Sequence, residues 1–263
     1  MAFARGDNAD IYYEIHGQGT PIVLSAGMGG SGSFWAPQLD ALADRHRVIL
    51  YDHVGTGRSA PGSRSIAGMA DDIASVLDHA GVDAAHVVGH AIGGIVGIEL
   101  ALRRPKRLRS LAVVNGWGRA DPFLKRCFEI RKALLNQSGP QAYVRAQPLF
   151  LYPPQWISEN IVHLDAEEER ILKHFPSVAT MNQRIDMFLA FEGGRRLKEI
   201  NVPTLLSSAK DDALVPAYLT RELAAAIPDS RVHEVDWGAH AFSVVTPEIF
   251  NDTLLDFCKE VDR

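Results

Sequence analysis

Short apolar runs alternate with helix-period patterns along most of the chain. Residues 10–16 alternate polar and apolar positions and stop at Gly17, which predicts an early strand. Residues 21–26, 47–51, 85–89 and 111–115 are compact apolar runs closed by glycine or polar residues, as strands buried on both faces are. Between them Ile66, Met69, Ile73, Val76 and Leu77 recur at helical spacing. Ile95, Val96, Ile98, Leu100 and Leu102 follow on a largely buried helix. This rhythm predicts an α/β fold with a mostly parallel central sheet flanked by helices.

The rhythm changes over residues 118–194, where no strand pattern is visible. Phe123, Cys127, Ile130 and Leu134 fit one helix face. Residues 147–156 read as a loop rich in proline and aromatics, and 165–174 as a charged surface helix. Strand patterns resume at 202–206 and 231–237, and Ile249, Leu254, Leu255 and Phe257 predict a closing helix. The expected organisation is a core built from 1–117 and 195–263, interrupted by a helical cap subdomain over 118–194.

Composition narrows the function classes. A chain of 263 residues with 46% hydrophobic and 22% charged residues is ordinary for a soluble globular protein. A net charge of -5 offers no footprint for nucleic acid or an anionic membrane surface. No apolar run reaches the length of a membrane span, and the N-terminal residues lack the apolar stretch of a secretory signal. Cys127 and Cys258 are too few for a disulfide framework and imply a reduced, cytoplasmic setting. No Cys/His cluster has ligand spacing along the chain, so no metal is expected. With no P-loop and no convincing dinucleotide fingerprint, no cofactor is expected either. The expected partner is a small-molecule substrate, and a homo-oligomer such as a dimer stays open.

The chemistry gathers at strand ends. Gly89-His90-Ala91-Ile92-Gly93 has the frame of a strand-to-helix elbow, G-x-S-x-G, with alanine where the serine nucleophile belongs. Ala26-Gly27-Met28-Gly29-Gly30 is a glycine-rich loop after an earlier strand. Asp52-His53-Val54-Gly55-Thr56-Gly57-Arg58-Ser59 follows another. Asp211 and Asp212 precede Pro216, and His240 lies between small residues after the last strand.

The order of elbow, acid and histidine resembles the α/β-hydrolase superfamily across essentially the whole chain. The resemblance implies His240 as base, Asp212 rather than Asp211 as its acid, and Ala91 at the nucleophile position. It also implies oxyanion donors from the backbone N–H groups of Met28 and Ile92, with Gly27, His90 and Trp117 around the substrate. A narrower resemblance rests on the segments at 29–35, 89–91, 115–117, 126–128 and 146–153. They are similar to the pyrimidine-utilisation D family, from the bacterial pathway that opens the uracil ring. An alanine at the elbow is familiar there, which favours a native Ala91. That family is described as hydrolysing a linear C–N compound, carbamate to ammonia and carbon dioxide, or 3-aminoacrylate to malonic semialdehyde and ammonia.

Alanine has no oxygen with which to attack a carbonyl, and loss of the nucleophile costs a serine enzyme about six orders of magnitude in turnover. One reading is therefore serine-free acid–base catalysis by His240 and Asp212. A second is an inert metabolite binder whose triad has decayed. A third is another nucleophile among Ser25, Ser31 and Ser33. Trp117, Phe150, Tyr152 and Trp156 either line the pocket or anchor the cap, and Arg119 or Arg145 is a candidate partner for a substrate carboxylate. His46, His79, His163 and His174 read as solvated, whereas His53 is a candidate pocket residue.

Overall fold

The computed structural model describes residues 2–7 and 9–263; Met1 and Asn8, inside the expected core segment, lie outside the described residues. The chain opens with β1 (Ala2–Gly6), β2 (Ala9–His16), β3 (Thr20–Ser25), α1 (Ala36–Ala43) and β4 (His46–Tyr51). It continues through α2 (Ile66–His79), β5 (Ala85–His90), α3 (Ile92–Arg103) and β6 (Leu108–Val114). A helical stretch follows: α4 (Pro122–Ala146), α5 (Pro148–Leu151), α6 (Pro154–Glu159), α7 (Ile161–Lys173) and α8 (Val178–Leu189). It closes with β7 (Thr204–Ala209), α9 (Ala217–Ala226), β8 (Ser230–Val235), α10 (Phe242–Val245) and α11 (Pro247–Val261).

The strands form an 8-stranded sheet in the order β1-β2-β4-β3-β5-β6-β7-β8. β2 pairs antiparallel with β1 and β4, and every pairing from β4 through β8 is parallel. Both faces of the parallel strands are covered, which is why they read as continuous apolar runs. Ile73, Val76 and Leu77 of α2 and Ile95 and Ile98 of α3 pack with Val23, Val87 and Val113 on one face. Leu42 of α1 and Phe250, Leu254 and Phe257 of α11 pack with Ile22, Leu24, Val88 and Val114 on the other.

The expected loop at 147–156 is instead α5 and α6, each with proline at its first turn. Proline suits that position because its missing N–H has no intrahelical partner to lose. β7 begins at Thr204, beyond Pro203, which cannot donate to a ladder. α4 is broken at Gly139 (φ 83°, ψ 178°) before Pro140, so its two arms point differently. Among the described residues no helix is long and apolar enough to cross a membrane.

Candidate active site

Strand β5 ends in a turn that reverses direction within one residue. Ala91 holds that turn with φ 50° and ψ -109°, a conformation L residues rarely adopt. Close packing dictates the flanking glycines. A Cβ on Gly89 would lie 2.2 Å from the Gly93 carbonyl oxygen, and one on Gly93 would lie 2.2 Å from that of Ser25. The backbone at 91 is therefore raised above the sheet edge and faces a cavity. Ile92 opens α3, so its N–H has no intrahelical acceptor. Met28 lies in the facing turn, closed by the Gly30 N–H donating to the Gly27 carbonyl at 3.0 Å.

Asp212 and His240 meet beside this turn. His240 Nδ1 is 2.8 Å from Asp212 Oδ2, and both residues are buried. The same Oδ2 accepts from Asn115 Nδ2 at 2.6 Å. Oδ1 accepts from the backbone N–H groups of Leu214 at 2.8 Å and Val215 at 2.9 Å. A carboxylate so surrounded by donors holds the imidazole with its proton on Nδ1 and leaves Nε2 as an acceptor. Asp211 instead accepts from the backbone N–H groups of Gly238 and Ala239, tying down the loop that carries His240.

His90 braces the dyad from the other side. Its Nε2 donates to the His240 carbonyl at 2.8 Å, and its ring stacks 4.6 Å from Phe34. Burial, with His240 adding to it, pushes its pKa down to about 3, so the ring stays neutral.

Gly27, Met28, His90, Ala91, Ile92, Trp117 and His240 all line one cavity of about 280 Å³, with Asp212 behind His240. Trp117 packs edge-on against Phe188 at 5.8 Å, and its Nε1 is buried without a partner among the described residues. Tyr152 also lines the cavity, while Trp156 stacks on it at 4.4 Å from outside. Phe150 packs 5.4 Å from the Arg131 guanidinium.

The arginines differ from expectation. Arg119 is exposed, and Arg145 pairs with Asp165 and Glu168 on the surface. Neither lines the cavity, but Arg131 and Arg184 do. Arg131 is 2% exposed, donates to the Tyr143 hydroxyl at 3.2 Å and leaves its Nε unpartnered. Arg184 donates to the Met28 carbonyl at 3.1 Å and Thr56 Oγ1 at 3.0 Å, linking α8 to the glycine-rich loop. Among the described residues neither arginine has a carboxylate within salt-bridge distance, and burial lowers the pKa of both. The expected face of Phe123, Cys127, Ile130 and Leu134 is rotated in the structure: Phe123 and Ile130 are exposed, and the buried face runs through Leu124, Cys127, Phe128, Arg131 and Leu135, which brings the arginine inward.

Ser25 bonds to Tyr51 Oη at 2.7 Å and His53 Nε2 at 3.2 Å, fully buried and away from the cavity, as is His53 itself. Ser31 and Ser33 line the cavity but bond to one another at 2.9 Å, with Asp52 near Ser31. His46 is buried, contrary to its solvated reading.

The family described as alpha/beta hydrolase fold matches residues 20–245. A protein of Azorhizobium caulinodans named "Putative carbamate hydrolase RutD" is 65% identical over 100% of both chains. One of the same name from Caulobacter sp. (strain K31) is 49% identical over 94% of this chain and 95% of that one. The enol-lactonase from Burkholderia xenovorans LB400 superposes with a TM-score of 0.89 at 25% identity, covering 98% of this chain and 100% of its own. Fold, elbow, dyad order and full-length identity agree: the chain belongs to the alpha/beta hydrolase family and, within it, to the family of the RutD proteins.

Proposed function

We propose that this protein hydrolyses a C–N bond of a small linear anion in uracil nitrogen catabolism, by acid–base catalysis without a serine nucleophile. The observation that carries the reading is the His240–Asp212 bond of 2.8 Å, kept intact beside an elbow whose side chain is a methyl group. A decayed site has no need of a positioned base. The relatives named for carbamate hydrolysis support carbamate as substrate. There His240 first takes a proton from solvent at Nε2, with Asp212 holding the resulting imidazolium; it delivers that proton to nitrogen, the C–N electron pair leaves with ammonia, and a carboxylate lone pair completes carbon dioxide. The Met28 and Ile92 N–H groups hold the carboxylate as its charge redistributes.

The cavity volume favours a second substrate. About 280 Å³ is far more room than the four heavy atoms of carbamate occupy. 3-Aminoacrylate carries its carboxylate on a longer chain and would place it toward Arg131. His240 would protonate the carbon next to the carboxylate, giving an iminium. Water, deprotonated by the now neutral imidazole, adds to that iminium; the imidazolium passes the proton to nitrogen, and ammonia departs as the hydroxyl gives its proton back to the imidazole, leaving malonic semialdehyde. General acid–base help contributes about 10²–10⁴-fold, which suits compounds that also decompose unaided.

The test is ammonia release from freshly generated 3-aminoacrylate and from carbamate, with and without protein, beside His240→Ala. A protein-dependent rate that disappears in the variant is expected. A rate unchanged by His240→Ala would refute the mechanism, and binding without turnover at stoichiometric protein would favour an inert binder.

A further inference from the structure

The end of the sheet opposite the candidate active site holds a second constellation. His46 opens β4, His86 lies near the start of β5, and Cys258 sits on the last helix, α11. One ligand atom from each lies within 4.8 Å of the other two. Their wide separation along the chain hid this from spacing rules. His46, His86 and Cys258 are 6%, 1% and 0% exposed. Among the described residues His46 Nδ1 is buried with no well-formed hydrogen bond, the Leu42 backbone engaging the ring only weakly, so the nitrogen keeps most of its desolvation cost. Asp262 stands outside that trio but touches one member, with Oδ1 3.1 Å from His86 Nε2.

We propose that His46, His86, Cys258 and Asp262 form a binding site for a borderline divalent metal ion, zinc foremost. Two imidazoles, a thiolate and a carboxylate make a donor set that zinc takes in tetrahedral geometry. Zinc bonds of about 2.0–2.3 Å require the His46, His86 and Cys258 donors to draw together by about 1 Å, while Asp262, at the edge of the trio, must swing further to complete the shell. The metal takes the place of the hydrogen between His86 Nε2 and Asp262 Oδ1. The imidazole proton then resides on Nδ1, which lies 2.7 Å from Ser110 Oγ, and that hydroxyl turns to accept it. Cys258 gives up its thiol proton to solvent, and no electron changes hands. Burial, with Asp262 adding to it, pushes that thiol up to about 12, so without a metal it stays protonated and unreactive. Asp262 also pairs with Arg109 at 2.9 Å, and its partial exposure offers the ion a way in. Such a site would staple α11 to the starts of β4 and β5, far from His240.

The experiment uses the full chain stripped with chelator, titrated with Zn²⁺ by calorimetry and with Co²⁺ by absorbance. The expected result is a single equivalent of Zn²⁺ with a rise in Tm, and a thiolate-to-cobalt charge-transfer band. Cys258→Ala should abolish the band, while Cys127→Ala and His240→Ala should leave it. Ser110→Ala should weaken zinc binding by about 10–100-fold. Absence of the band in the wild-type chain would overturn the proposal even if the Cys258 variant failed to fold. Zinc binding that survived both Cys258→Ala and His46→Ala would overturn it as well.

Discussion

Asp212→Asn is the sharpest test of the proposed mechanism, because the surroundings of that side chain decide what the amide must do. The Leu214 and Val215 N–H groups, at 2.8 and 2.9 Å, require an oxygen at the Oδ1 position. The amide nitrogen is therefore forced into the Oδ2 position, facing His240 Nδ1 and Asn115 Nδ2. As a donor it obliges His240 to present a bare Nδ1 and to carry its proton on Nε2. The imidazole then has no free Nε2 to take a proton from solvent or water, and no carboxylate to stabilise the imidazolium that protonates the substrate.

Asn115 can absorb its share of the change. Its Oδ1 is buried without a partner, so an amide flip restores a bond to the new NH₂. The fold should therefore survive, with a loss of about 1–3 kcal/mol for charge-assisted bonds made neutral. Turnover should fall by the whole acid–base contribution, about 10²–10⁴-fold. The assay is ammonia release at saturating substrate, with ¹⁵N chemical shifts of the imidazole reporting the tautomer. A folded variant that keeps Nε2 protonated and yet retains most of the wild-type rate would refute the reasoning.

Ala91→Ser should create a nucleophile on the existing elbow, giving a burst with p-nitrophenyl acetate and at least about a 10²-fold gain in esterase rate; a variant with no burst would show that the turn does not aim its side chain at His240. Arg131→Gln should raise KM by about 10–100-fold with kcat little changed, the loss expected for a charged hydrogen bond to a substrate carboxylate. Unchanged KM would place the anion elsewhere. Burial holds His53 and His90 down to about 3 and His86 to about 4, well below an ordinary histidine. The unfolded chain therefore binds more protons than the folded one below about pH 6.5, and stability is lost as pH falls through that window toward 4. Asp72, raised to about 6 by burial, acts in the opposite sense between pH 4 and 6 but is a single group. Urea unfolding at stepped pH should show the midpoint falling from pH 6.5 to 4; a flat midpoint would contradict the assignment.

Legibility in the sequence followed the length scale of each feature. The buried strands β3 to β6 and the elbow were readable because local packing dictates them: glycine at 89 and 93, and apolar runs between. Asp212 and His240 were readable through motif and order. β1 was not, since only Ala4 of its residues is fully buried and Phe3 is exposed. α8 escaped notice although Met181, Ile185 and Phe188 keep a helical repeat, because polar residues separate them. Arg131 and the His46–His86–Cys258 cluster depend on which distant segments meet, and no local pattern encodes that. Arg145, a candidate for a substrate carboxylate, instead pairs with Asp165 and Glu168, carboxylates that only the folded cap brings to it.

The strained turn at Ala91 also bears on how such a protein can change. A backbone held at φ 50° and ψ -109° costs about 1–3 kcal/mol, and here no hydroxyl benefits from it. What the turn still supplies is a helix start at Ile92, whose N–H has no intrahelical acceptor, beside the cavity. Alanine and serine codons differ by a single base, so the gene stands one point mutation from a covalent hydrolase. A serine there would share the cavity with His240 and the N–H of Ile92. A screen of random variants on ester substrates should therefore recover position 91 before any other.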